Sequence, residues 1–184
     1  MEVKSRISIN DFGNKLYLGV SQYLCPYGQV LRSAYVIMYP MKEMTYKHWG
    51  HTGIADNALV AAYALNRLAQ EAQYANATQT IPVFTNMQVV IARMDASHDR
   101  VAEKCTNDRI SLKASDEEMY DASLVFKMSG IKVGKPFREL DKRRVKEAKQ
   151  LARTMAEETY CATDCKTHSF ITDDSEMIWL NQFS

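Results

Sequence analysis

The chain has 184 residues, of which 46% are hydrophobic, and a formal net charge of +1. This composition suffices for one domain with a buried core and excludes a disordered polymer. The near balance of charge excludes a global attraction to nucleic acid, so any such attraction must be local. No apolar run approaches the roughly 20 residues that span a bilayer. No signal peptide precedes the four sparse cysteines, so we expect a cytoplasmic, reducing location and no membrane partner.

Residues 4–39 predict three strands. Residues 4–10 alternate between apolar and polar, and 15–24 and 30–39 are rich in Tyr, Leu and Val. Short turns between them predict an antiparallel meander. Residues 41–53 follow as a predicted polar and aromatic loop that contains Lys47 and Trp49.

The rest of the chain alternates between helix and strand. Apolar spacing predicts helices at 56–74, 98–108 and 138–158 and strands at 81–85 and 122–128, whereas 88–93 fits either. Between them we expect an acidic connector at 116–121 and a glycine-containing loop at 129–136. The pattern predicts an α/β domain, residues 1–158, with a five-stranded mixed sheet: three antiparallel strands, then parallel ones, flanked by helices. Residues 159–184 form a predicted tail that docks on the domain or on a partner.

Four strings in this order resemble the ribonuclease H-like superfamily. Residues 52–62 resemble its entry into the first helix, and 83–90 resemble its strand that ends in Thr-Asp-Ser. Residues 124–130 resemble its last strand, and 148–153 resemble its closing helix. The resemblance covers residues 5–158 and implies a ribonuclease H fold.

That family holds two metal ions with four carboxylates, and the metals stabilise the attacking and leaving oxygens. The resemblance places those carboxylates at Asp11, Ala58, Asn86 and Lys149, so three of the four are absent. The family's loop histidine falls near Ile131, where there is no histidine. We therefore expect no metal and no catalysis. Such degeneration is compatible with a viral or phage source.

A shifted register is the alternative. Asp11, Asp56 and Asp141 would then gather as ligands for Mg²⁺ or Mn²⁺, and the chain would be a metal-dependent nuclease.

Residues 131–153 carry nine basic and three acidic side chains. This segment predicts a nucleic-acid-binding surface, for RNA or an RNA–DNA hybrid, although a solvated helix face with internal ion pairs fits the pattern equally. The residues we select for binding are Lys142, Arg143, Arg144, Lys146, Lys149 and Arg153, with Lys47 and Trp49 of the 41–53 loop added as a cationic and aromatic pair.

Two further hypotheses remain open. The fold could serve as a scaffold that docks a protein partner through 41–53 or through the tail. Cys161, Cys165 and His168 are zinc-type ligands, but their spacing fits no standard zinc motif, and unpaired thiols explain them more simply.

Overall fold

A computed structural model describes residues 15–24, 31–40, 45–52, 56–75, 81–158, 166–172 and 177–179, parts of them as backbone only. The strands are β1 (Leu16–Leu24), β2 (Leu31–Pro40), β3 (Thr45–Thr52), β4 (Ile81–Phe84), β5 (Ile131–Gly134), β6 (Lys166–Thr172) and β7 (Met177–Trp179). The helices are α1 (Asn57–Ala75), α2 (Gln88–Thr106), α3 (Ala114–Ser129) and α4 (Glu139–Glu158).

The strands form one mixed sheet in the order β5-β4-β1-β2-β3-β6-β7. β1, β2 and β3 form an antiparallel meander, β4 joins β1 in parallel, and β5 joins β4 in parallel. The predicted α/β architecture, with antiparallel strands followed by parallel ones, is confirmed. The predicted count of five was too low, because β6 and β7 extend the sheet beyond β3. The division at residue 158 stays a prediction.

The described meander, β1 to β3, contains one strand that we did not predict. Its third strand is β3, which lies in the segment 41–53 that we expected to be a loop. That prediction was wrong because β3 lies between β2 and β6, whose backbones pair with it on both sides. Such non-local pairing leaves little trace in a polar and aromatic sequence. The predicted strand at 4–10 lies outside the described residues.

The helix α3 corrects two predictions, the connector at 116–121 and the strand at 122–128. Met119, Ala122 and Phe126 are buried at helical spacing within α3. Asp116 lies in the first turn of α3, is 4% exposed, and pairs with Arg100 at 3.0 Å. The apolar run was too short to distinguish a strand from a buried helix.

Two neighbouring segments also differ from expectation. Gly130 ends α3 in the left-handed conformation with φ 69°, which suits glycine. The next four residues form β5, where we predicted a loop. Residues 88–93, which fitted either type of element, begin the helix α2.

The sheet separates two apolar cores. One core joins α1, α2 and α3 to Leu16, Leu18 and Ile37. The other joins α4 to Tyr17, Val36 and Met38. The helix α4 therefore lies alone among the described helices on its face of the sheet. None of the helices in the described ranges is both long and apolar enough to cross a membrane.

A buried carboxylate fixes the beginning of α4 to the beginning of β1. Asp141 is 2% exposed and accepts a hydrogen bond from the Tyr17 hydroxyl at 2.7 Å. The Lys15 ammonium lies 3.3 Å from the same carboxylate. Burial raises the pKa of Tyr17, and the hydrogen bond to Asp141 raises it further, so the phenol remains a donor.

Gly19 of β1 lets α4 approach the sheet closely. A Cβ at this position would overlap the backbone of Ala148 and Lys149. The other residues of α4 that face the sheet include Val145 and Ala152, both buried. The contact at Gly19 therefore determines how near α4 lies to β1.

We expect Gly19→Ala to lower the free energy of unfolding by about 3 kcal/mol, because the new methyl group meets backbone that cannot turn away. Chemical denaturation measures this loss. Gly134→Ala is the matched control, since a Cβ at Gly134 meets nothing within 4 Å. Equal stability of the two variants would contradict the close approach of α4.

We expect Asp141→Asn to lower the free energy of unfolding by about 2 kcal/mol, because it removes the charge that holds Lys15 and Tyr17. Glu139→Gln in the same helical turn should change it by less than about 0.5 kcal/mol, since Glu139 is exposed. Urea denaturation of both variants compares them. A loss as large for Glu139→Gln would show that the helix terminus, not the buried cluster, carries the effect.

Candidate functional site

A groove of about 540 Å³ lies along α4. It is lined by Ser21, Asn86, Lys135, Pro136, Lys142, Val145, Lys146, Lys149, Gln150 and Arg153. These residues come from β1, from the turn after β4, from the segment after β5, and from α4. Five of them are cations and none is a carboxylate. The groove is therefore an electropositive site in a chain of nearly balanced charge.

The helix α4 supplies four of the five cations from one face. The intervals between them are four, three and four residues, which place side chains in a single row on a helix. These four residues, called the basic row below, are Lys142, Lys146, Lys149 and Arg153. At about 1.5 Å per residue, the row extends for roughly 16 Å.

The apolar face of α4 orients the basic row. Val145, Ala148 and Ala152 are buried against the sheet and alternate along the helix with members of the row. The cations therefore flank the line where α4 meets the sheet, and they cannot rotate away while that face stays buried. Ser21 on β1 and Asn86 after β4 complete the walls of the groove.

Three of the five cations have no acidic partner within the described ranges. Lys135, Lys146 and Lys149 are exposed and make no ion pair there. Lys142 pairs with Glu139 at 2.6 Å, and Arg153 pairs with Glu157 at 2.9 Å. Both pairs are exposed and hence weak. The positive field of the groove therefore depends mainly on the three unpaired lysines.

Arg153 is held more firmly than the lysines. It donates a hydrogen bond to the backbone carbonyl of Gln22 at 2.8 Å, and its guanidinium lies 5.1 Å from the centre of the Tyr23 ring. These contacts fix Arg153 to β1. One end of the basic row is thus preorganised, whereas the lysines can adjust to a ligand.

The groove brings together two of the four positions that the family resemblance marked as degenerate. Asn86 and Lys149 line it together. Ala58 does not, because it is 7% exposed and belongs to the core beneath α1. Asp11 lies outside the described residues. The strand β1 contains no acidic residue.

The predicted binding residues divide into three groups. Lys142, Lys146, Lys149 and Arg153 line the groove. Arg143 is exposed outside the lining, and Arg144 pairs with Glu147 at 3.1 Å. Lys47 and Trp49 lie on β3, and their side chains are outside the described part of the chain.

Two lining residues just before α4 were missing from the predicted set. Lys135 and Pro136 follow β5 and lead into the helix. The excess of basic residues in 131–153 contained a signal for Lys135. Its place in the groove depends on β5, which the sequence did not predict.

The groove does not suit the divalent metals that the family uses. Mg²⁺ and Mn²⁺ prefer carboxylate and carbonyl oxygens, and this lining has no carboxylate. The described residues contain no group of three His, Cys, Asp or Glu side chains placed to hold a metal ion.

The two described acids of the alternative register have other contacts. Asp56 accepts a hydrogen bond from the backbone N–H of Ala58 at 2.8 Å and so caps α1. Asp141 binds Lys15 and Tyr17, as described above.

The zinc site suggested by Cys161, Cys165 and His168 stays a prediction. Cys161 and Cys165 are not among the described residues, and His168 is described only as backbone in β6. Cys105 is free and exposed.

No protein-family model and no curated protein matches this sequence. Solved structures do resemble it. The foamy viral protease-reverse transcriptase in complex with RNA/DNA hybrid matches with a TM-score of 0.58 and 12% identity over 83% of this chain. This chain spans about a fifth of that protein, 21%.

For two further structures, the match extends over a larger share of the matched chain. A chain from the complex of the same foamy viral protein with dsDNA matches with a TM-score of 0.57 and 14% identity, over 83% of this chain and 99% of that one. LC9-RNase H1, a type 1 RNase H with the type 2 active-site motif, matches with a TM-score of 0.58 and 11% identity. This match covers 88% of this chain and 77% of the LC9-RNase H1 chain. At these identities the likeness establishes architecture alone, and the chain has a ribonuclease H-like fold.

Proposed function

We propose that this chain binds nucleic acid in the groove along α4 and does not cleave it. The observation that carries the proposal is the lining of that groove, with five cations and no carboxylate. Such a site attracts polyanions, and phosphate contacts supply most of the sequence-independent affinity for nucleic acid. RNA or an RNA–DNA hybrid is the ligand class that the fold suggests.

The geometry of the basic row supports a phosphate backbone as the ligand. Four cations spaced over roughly 16 Å match an extended row of charges better than a single small anion. Lysines act as adjustable point charges, whereas Arg153 offers a fixed planar donor. The similar foamy viral structures contain an RNA/DNA hybrid and dsDNA, which supports nucleic acid as the class of ligand.

The absence of cleavage follows from the same residues. Two-metal hydrolysis requires acidic ligands to neutralise the metal charge. Asn86 offers only a neutral carbonyl oxygen, and Lys149 adds a positive charge that would repel a metal ion. The groove therefore favours the phosphate and disfavours the metal.

The alternative function is that of a scaffold for a protein partner. Its predicted docking loop at 41–53 loses support, because residues 45–52 form an interior strand of the sheet. The tail keeps some support, because β7 has only β6 as a neighbour among the described strands. A pull-down that survives loss of the groove lysines but fails when residues 177–184 are removed would favour this alternative.

We expect the double variant Lys146→Gln/Lys149→Gln to bind nucleic acid at least about tenfold more weakly, because it removes two unpaired cations. The slope of log K against log salt should become shallower by about 1 for each lysine. Fluorescence anisotropy with a labelled RNA–DNA hybrid at several salt concentrations measures both quantities.

The matched control is Lys113→Gln/Lys127→Gln, which removes two exposed lysines at the ends of α3, on the other side of the sheet. It should retain the affinity and the salt slope of the unaltered protein. An equal loss in the control would mean that charge anywhere on the surface suffices. The absence of binding by the unaltered protein at about 50 mM salt would refute the proposal.

We expect no cleavage of a labelled RNA–DNA hybrid in Mg²⁺ or Mn²⁺, even at high protein concentration, because the groove has no acidic ligand. Gel electrophoresis of the products is the measurement, with an active ribonuclease H as the positive control. Cleavage that disappears in Asp11→Asn would instead establish the shifted-register nuclease.

A further inference from the structure

An exposed aromatic residue stands at the beginning of the basic row. Phe137 is 82% exposed, although a phenylalanine ring gains free energy when it leaves water. Pro136, its neighbour in sequence, is buried and lines the groove. Lys135, which is exposed, lines the groove as well. Lys142, the first cation of the row, lies five residues further along the chain, in the first turns of α4. Phe137 is not itself part of the lining, but it is exposed and directly follows two residues that are.

Phe137 differs from the other large apolar side chains on the surface. Met128 is similarly exposed, at 88%, but it belongs to α3 on the opposite side of the sheet and is not among the residues that line the groove along α4. Phe137 combines an aromatic ring with adjacent cations. Leu140, 59% exposed, adds apolar surface on the same turn of the chain. An aromatic ring next to a cationic track is the arrangement by which proteins hold single-stranded nucleic acid.

We propose that the groove recognises single-stranded nucleic acid, with the phosphates along the basic row and an unpaired base stacked on Phe137. This inference rests on the proposed function and specifies its ligand. A base stacked on the ring would cover the apolar surface that Phe137 now exposes to water. The basic row would contribute affinity for any phosphate backbone, whereas Phe137 would contribute only when a base is free to stack.

The preference against a duplex follows from the same geometry. In a duplex the bases are paired and stacked on one another, so their faces are not available to an external ring. A single strand can splay a base out while its backbone follows the cations. At the far end of the row, the Arg153 guanidinium is fixed over Tyr23, and its planar group can support a second base.

The test compares an oligouridine of about 12 nucleotides with a blunt duplex of equal length. We expect Phe137→Ala to weaken binding of the single strand about tenfold and to leave duplex binding unchanged. The salt slope should stay constant in this variant, because no phosphate contact is lost. Phe137→Tyr should restore the affinity, since it keeps the ring.

Met128→Ala is the matched control, because it removes an equally exposed apolar side chain from the other side of the sheet. It should bind like the unaltered protein. Single-strand affinity that is unchanged in Phe137→Ala would overturn the stacking inference while leaving groove binding in place. A preference of the unaltered protein for the duplex would overturn it as well. Failure of the unaltered protein to bind either probe would remove the proposed function itself.

Discussion

The contact between Gly19 and α4 is the constraint on which the rest of this site depends. Any side chain at position 19 would meet the backbone of Ala148 and Lys149, so the close approach of the helix requires a glycine. The hydrogen bond from the Tyr17 hydroxyl and the ion pair with Lys15, both received by the buried Asp141 carboxylate, then fix the first turn of α4. Two anchors, one in the first turn of the helix and one at its middle, determine both its distance from β1 and its rotation.

The rotation of α4 determines which of its side chains line the groove. Because the face with Val145, Ala148 and Ala152 is buried, the row of cations borders the sheet and faces Asn86 and Ser21. A chain with a net charge of only +1 thus concentrates five cations in one groove. The lining supports the proposed site for anions, and Lys149, whose backbone lies against Gly19, contributes one of its cations.

The predictions succeeded where a segment carries its own periodic pattern. The helices α1 and α4 each bury a stripe of small or apolar residues, and both were predicted to within about two residues at either end. They failed where contacts with neighbouring elements determine the secondary structure of a segment. The polar, aromatic segment of β3 becomes a strand because β2 and β6 flank it. The run from Ala122 to Met128 becomes helical because Met119, Ala122 and Phe126 pack together against α1 and the sheet. The binding role of Lys47 and Trp49, which were chosen from the sequence, stays a prediction.

By itself, the sequence determined that α4 is an amphipathic helix with cations at helical spacing, and the family resemblance led us to expect that three of its four acids are absent. Both properties are local and can be counted along the chain. Only the tertiary structure decided that Lys135, from the segment after β5, lines the same groove as the row on α4, and that Phe137, two residues further along, is exposed. The physical reason is that the pairing of β4 with β5 joins residues 50 positions apart, and the Gly19 contact joins residues more than one hundred positions apart. No local pattern encodes such distances.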